Sequence, residues 1–276
     1  MADPDRLPDW LVVRRGDAPL VLGMPHTGTH IPDDLLPGLV SLWRARKDAD
    51  WWIDRLYAFA EDMDATIVRT TISRSVIDVN RDPSGASLYP GQTTTELCPT
   101  TTFDGEPLYF PGQEPDEAEI AQRRDRWLTP YHAALTAELA RLRDLHGRAV
   151  LYDCHSIRSR MPRLFDGELP QFNIGTNGGT TCDPALERAV EHACAATGLS
   201  LVVNGRFRGG YTTRHHGHPD IGIHAIQMEL ACRGYIEEPV TPDEANWPTP
   251  YDPVRAAPLA AHLRHILAAC LDWKTT

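Results

Sequence analysis

Tyr152-Asp153-Cys154-His155-Ser156 places an acid, an imidazole and a hydroxyl at the end of the apolar run Ala149-Val150-Leu151-Tyr152. Such a run reads as a buried strand, and open α/β sheets gather their chemistry at the carboxyl ends of their strands. A second run, Leu20-Val21-Leu22-Gly23-Met24, leads into Pro25-His26-Thr27-Gly28, and Asp48-Ala49-Asp50 follows soon after. Two imidazoles at strand ends plus one carboxylate match the three protein ligands of a catalytic zinc site, which leaves a position for water. The reading is a metallohydrolase with His26 and His155 as ligands. Asp50 is the preferred third ligand; Asp48, His30 and Asp153 stay open as alternatives. Asp48 and Asp50 both precede a helix, so either could simply cap it, and the one not used could orient a ligating His.

Glu229 lies in the apolar run Ile226-Gln227-Met228-Glu229-Leu230. A carboxylate inside a buried strand is costly unless it is paired or bound to metal. Burial also raises its pKa, which suits a general base acting on water. Arg74, Arg81, Arg206, Arg208 and Arg214 lie in the segments that carry the other candidates. Asn80-Arg81 is suited to gripping a substrate carboxylate through the planar guanidinium fork. Arg208 to Gly217 reads as a Gly-flexed substrate-binding loop that carries Arg214 and His215. No P-loop, HExxH or GxSxG pattern is present. Cys154 neighbours His155, but neighbours in a strand face opposite ways, so Cys154 belongs to the core if His155 faces the site.

These groups need a scaffold. The 276 residues can bury a large core, and one α/β domain over 1–276 is expected. Helical stripes at 116–146, 183–197 and 253–272 alternate with strands at 20–24, 65–70, 149–152, 201–204 and 225–230, and a further strand enters the Gly-rich turn at 174–179. The pattern predicts an α/β fold with a mixed, mostly parallel central sheet flanked by helices on both faces. Apolar spacing from Asp50 to Ala60 predicts another helix. Alternation at 76–80 suggests that 65–80 is a hairpin, and that hairpin is the reason for expecting a mixed sheet. Residues 86–113 read as a long functional loop.

A formal net charge of −11 argues against a nucleic-acid surface, and no apolar stretch reaches the length of a membrane span. Six scattered cysteines without a CxxC pair fit reduced thiols and a cytoplasmic setting, and Met1 to Asp5 lacks the start of a signal peptide.

The ordered pieces Pro25-His26-Thr27-Gly28-Thr29-His30-Ile31-Pro32, Asp48-Ala49-Asp50-Trp51, Ser73-Arg74-Ser75-Val76-Ile77-Asp78-Val79-Asn80-Arg81, Asp153-Cys154-His155-Ser156, Gly209-Gly210-Tyr211-Thr212-Thr213-Arg214-His215 and Gln227-Met228-Glu229 resemble the N-formylglutamate amidohydrolase (deformylase) family of bacterial histidine degradation. That family is itself distantly similar to zinc carboxypeptidases and aspartoacylase-type deacylases. The resemblance implies their α/β fold, His26 and His155 as metal ligands, Glu229 as general base and Asn80-Arg81 as carboxylate clamp. Where the peptidase pattern has Glu, three residues past the first His, this chain has Thr29, so the third ligand must come from elsewhere. The expected reaction is zinc-dependent hydrolysis of N-formyl-L-glutamate, a small N-acyl amino acid. Arg81, helped by Arg74 or Arg214, would hold the two carboxylates. The competing readings are a deacylase of another N-acyl amino acid or a carboxypeptidase-like hydrolase, a silent carboxylate-binding relative, and a cysteine amidase acting through Cys154.

Overall fold

The structure, a computed structural model, describes residues 7–88 and 91–274. Residues 1–5, read above for targeting, and two residues of the 86–113 loop lie outside the described residues. Strands β1 (Leu11–Arg14), β2 (Leu20–Met24), β3 (Thr66–Thr70), β4 (Ala149–Ile157), β5 (Phe172–Gly175), β6 (Leu201–Val203) and β7 (Ile223–Ala231) form one sheet in the order β1-β3-β2-β4-β7-β5-β6. The central strands β3, β2, β4 and β7 run parallel, and β5 pairs antiparallel with β7. Every residue of β2, β4 and β7 is buried, as expected for parallel strands covered on both faces.

Helices supply that cover. On one face α5 (Pro184–Ala195) and α7 (Pro253–Asp272) pack against Leu20, Leu22, Tyr152, Cys154, Ile226 and Met228. On the other, α4 (Thr129–His146) lays Tyr131, Leu135, Leu139 and Leu142 against Val21, Leu151 and Ala225. Helix signals in the sequence act locally. Asp183 caps α5 by accepting from Ala185 N, with Pro184 in the first turn, and α4 stops at Gly147, whose φ of 77° is left-handed. The predicted 116–146 helix is α3 (Glu117–Arg123) running through a π turn at 124–128 into α4.

Three local expectations are corrected. Residues 65–80 do not form a hairpin: β3 pairs with β1 and β2, and 76–80 is a set of turns. The Asp78 side chain accepts from the backbone N–H of Asn80, and Arg81 N donates to Asp78 O, so this backbone is committed to a turn. The sheet is mixed because β1 is antiparallel to β3, and because β5 and β6 run against the central strands. The helix expected from Asp50 shrinks to α2 (Ile53–Leu56) and a 3-10 turn at 58–63, because Trp52 sits at φ 63° and breaks its start. Within the supposed glycine loop, Tyr211–His216 is a short helix, α6. Strand β1 and helix α1 (Leu42–Arg46) carried no clear periodic signal.

The pairing of β4 with β2 reaches Gly23↔Asp153, whereas β4 and β7 stay paired to Ile157↔Ala231. The β4–β7 ribbon therefore projects beyond the end of β2, and the loop after β2 folds under it. Gly28, on that loop, lies against the backbone just past β3, where a Cβ would be 2.2 Å from Ile72 O.

Candidate metal centre and active-site cleft

Tyr152 and Cys154 point into the α5/α7 core, so alternation sends Asp153 and His155 to the α4 face. The same count along β7 puts Gln227 and Glu229 on that face, and His155 and Glu229 are directly opposed in register. Cys154 is fully buried in the core, with its thiol pushed well above the ordinary value by burial, so it is no nucleophile. His26 follows β2, and Asp50 is tied beside it by the bond from Asp50 N to His26 O.

His26, Asp50 and His155 converge with their ligand atoms within 4.8 Å of one another, and all three are buried. Asp50 Oδ2 lies 3.1 Å from His155 Nδ1 and 3.6 Å from His26 Nδ1, and it also accepts from Ser156 N. Each far ring nitrogen meets a further carboxylate. Asp78 Oδ1 is 2.6 Å from His26 Nε2, and Asp153 Oδ1 is 3.1 Å from His155 Nε2. A carboxylate behind each imidazole is the arrangement that fixes the tautomer of a metal-ligating His. Asp50 Oδ1 is buried without a hydrogen-bond partner, 3.6 Å from Arg74 Nη1, and its carboxylate keeps unused acceptor capacity.

The charges also fit a cation. Arg74 and Arg81 stand against the carboxylates of Asp50, Asp78, Asp153 and Glu229. Burial pushes Asp50 up, but His26 and His155 outweigh it and hold the carboxyl below the usual range. Asp78 is likewise held well below it by Arg74, Arg81 and His26 against the cost of burial. Burial disfavours a charged His155, yet Asp153 and Asp50 on either side push its pKa well up. A divalent ion among the three ligands would take the place of that proton. The donor set therefore fits a metal, and these residues would hold it.

Glu229 carries the opposite perturbation: burial raises its carboxyl to about 8. Gln227 Nε2 donates to Glu229 Oε2 at 3.1 Å, and Gly210 N donates to Gln227 Oε1 at 2.7 Å, which sets the amide's orientation. Asn80 Nδ2 lies 3.2 Å from His155 Nε2, and Asn80 Oδ1 accepts from Thr212 N. Gly210 is required here, because a Cβ on it would lie 2.3 Å from Asn80 Nδ2.

A cleft enclosing about 580 Å³, its open mouth included, leads to these groups. His26, Arg74, Asn80, Arg81, His155 and Glu229 all line it. Phe103, Ile157, Leu164 and Phe207 give it apolar walls, and the Thr93-Thr94-Thr95 stretch and Arg206 complete the rim. Arg214 and His215 are not among the lining residues. Arg214 donates to Gly209 O and Leu88 O, and His215 is exposed and stacks on Tyr211. Asp48 accepts from Phe103 N and approaches Arg158, and His30 is exposed, so neither joins the three-ligand group. Asp78 and Gln227 carried no role in the sequence reading. Asp78 was hidden in the alternating Val76-Ile77-Asp78-Val79-Asn80 pattern, where it looked like a strand residue.

Comparison with known proteins places the chain in a family. The family model described as N-formylglutamate amidohydrolase matches residues 18–236. Two proteins named N-formylglutamate deformylase, from Pseudomonas aeruginosa and Pseudomonas putida, are each 45% identical over 264 residues, covering 95% of this chain and 96% of theirs. A crystal structure of N-formylglutamate amidohydrolase from Ralstonia eutropha JMP134 superposes with a TM-score of 0.75 at 24% identity, over 94% of this chain and 96% of that one. At that identity it supports the fold alone: a mixed, mostly parallel sheet between helices. A family match over residues 18–236, with 45% identity across 95% of the chain, establishes that the protein belongs to the N-formylglutamate amidohydrolase family and is an amide-bond hydrolase.

Proposed function

We propose that the chain hydrolyses N-formyl-L-glutamate to formate and L-glutamate, with a divalent metal held by His26, Asp50 and His155. The observation that carries this reading is the pairing of that buried trio with Glu229, directly opposite His155 in the β4–β7 ribbon and on the wall of the same cleft. Two imidazoles and one carboxylate make zinc the expected ion. Such an ion supplies Lewis acidity toward a carbonyl oxygen and toward water.

The remaining chemistry belongs to side chains. Glu229 takes the proton of the attacking water and returns it to the departing amine nitrogen. Burial raises this carboxyl above its ordinary range, which suits a group that must both take a proton and give it back. Gln227 holds its carboxylate in place. Asp78 keeps the His26 imidazole aligned, and Asn80 braces His155, whose Nε2 lies beside Asp153. Arg81, on the cleft wall beside Asp78, receives the α-carboxylate. The apolar walls limit bulk water around the reacting carbon.

The test is formate release by Glu229→Gln, with bound metal measured on the same sample. Loss of a general base predicts a fall of about 10²- to 10⁴-fold with metal content unchanged. Near-normal turnover with intact metal would sink the base assignment.

A further inference from the structure

Glutamate carries two carboxylates, so a cleft selective for it requires two guanidinium or ammonium groups at the matching separation. Arg74 is poorly placed for this. It is 7% exposed, and its guanidinium lies 2.6 Å from Asp78 Oδ2 and 3.6 Å from Asp50 Oδ1, so its charge serves the metal centre. Arg214 lies off the cleft wall. Besides Arg81, the wall holds Arg206, on the segment between β6 and α6.

Arg206 and Arg81 are fastened to the same short stretch. Arg206 donates to Thr93 O at 2.9 Å and to Leu164 O at 2.9 Å. Arg81 donates to Thr95 O and Thr95 Oγ1, both at 3.0 Å. Their anchor points are two residues apart, a span of at most about 7 Å. The carboxyl carbons of glutamate are four C–C bonds apart, about 5 Å when extended. Both guanidiniums are thus tethered to one stretch whose span is comparable with that of one glutamate.

We propose that Arg206 reads the side-chain carboxylate of the substrate and is its main specificity residue, an assignment that rests on the deformylase reading above. The order of the two ends follows from the centre. Arg81 is 3.5 Å from Asp78, which holds His26, so Arg81 belongs near the reacting amide, as does the α-carboxylate. Arg206 stands over the Phe207 ring and bonds Leu164 O, among the apolar residues of the wall. Its segment is also pinned to the general base, because Gly210 N bonds Gln227, which bonds Glu229. The segment that carries the second carboxylate receptor is thereby tied to the base through Gln227.

The experiment compares kcat/KM for N-formyl-L-glutamate and its neutral isostere N-formyl-L-glutamine in wild type, Arg206→Gln, Arg206→Lys and Arg81→Gln. Wild type prefers the glutamate substrate. Arg206→Gln lowers that preference by about 10- to 100-fold, the worth of a charge-assisted contact. Arg206→Lys, which keeps the charge, restores part of it. Arg81→Gln slows both substrates together and keeps the preference. A wild type indifferent to the γ-charge overturns the assignment without any variant. So does Arg206→Gln slowing both substrates equally, which would make Arg206 only a tie between two loops. Wild type releasing no formate from either substrate, with metal bound, overturns the deformylase reading itself, and the specificity claim with it.

Discussion

Replacing Asp78 by Asn changes one oxygen to nitrogen at the most connected buried carboxylate of the site. Asp78 is 0% exposed. It lies 2.6 Å from His26 Nε2, 2.6 Å from Arg74 Nη2, 3.5 Å from Arg81 Nη2, and accepts from Asn80 N at 2.9 Å. The neutral amide keeps one acceptor, so it can serve Arg74 or His26 but not both as the carboxylate does. Removing one partner of a buried ion pair costs about 3–5 kcal/mol, and the surviving acceptor places the expected loss near the lower end, about 3 kcal/mol. The metal consequence is separate. An amide N–H turned toward His26 Nε2 moves the ring proton to Nδ1, the nitrogen that faces Asp50. Carboxylates behind ligating His residues are worth about 10- to 100-fold in metal affinity. Zinc affinity measured by competition with a chromophoric chelator, alongside urea unfolding, reads both effects. Zinc affinity within twofold of wild type would refute the role of Asp78 behind His26. A stability loss under about 1 kcal/mol would refute the buried-pair argument.

Gly210→Ala puts a Cβ 2.3 Å from Asn80 Nδ2, in a region where Asn80 is held from two sides. Overpacking of this kind costs about 1–3 kcal/mol, and kcat/KM for formate release should fall with it; a variant with wild-type kinetics and melting temperature would count against the bracing role of Asn80. Away from the cleft, His132 and His216 share a buried bond of 3.0 Å, and His132 Nε2 donates to Val79 O. Burial pushes His132 down to about 4 and His216 to about 2. The folded chain keeps both neutral while the unfolded chain protonates below about 6.5, so their stabilisation is full above that pH and is lost as pH falls toward 4, by about 3 kcal/mol for His132 alone. Glu229, raised to about 8, acts with the opposite sign over the same window. The signature is therefore the difference between wild type and His216→Gln in urea-unfolding free energy from pH 7 to 4.5; the variant should show the smaller acid loss, and identical slopes would refute the account.

The parts of this molecule that were legible in sequence are those where one signal decides. Continuous apolar runs revealed β2, β4 and β7, because strands covered on both faces cannot alternate. Asp183-Pro184 marked the start of α5 because capping is local. His26 and His155 came together because each stands at or near the carboxyl end of a central strand, and Asp50, between α1 and α2, is drawn to them by its backbone bond to His26 O. Glu229 was visible as an acid in an apolar run. What stayed hidden depends on turns. Asp78 looked like one position of an alternating strand, yet its own side chain bends that segment back toward His26. Of Arg81, Arg206 and Arg214, the sequence favoured Arg81 through its neighbour Asn80, and Arg214 as its helper. Only the fold shows that the first two share the Thr93-Thr94-Thr95 rim while Arg214, on α6, bonds Gly209 and Leu88. The αL backbone at Trp52, which breaks the start of the predicted helix, has no sequence signature at all.

The central claim is a metal-dependent deformylase site built on His26, Asp50, His155 and Glu229. The most direct measurement is formate release from N-formyl-L-glutamate by metal-stripped protein before and after zinc is added. The account predicts little release without metal and recovery on adding zinc. Full release by the stripped protein, or none with zinc demonstrably bound, would contradict it.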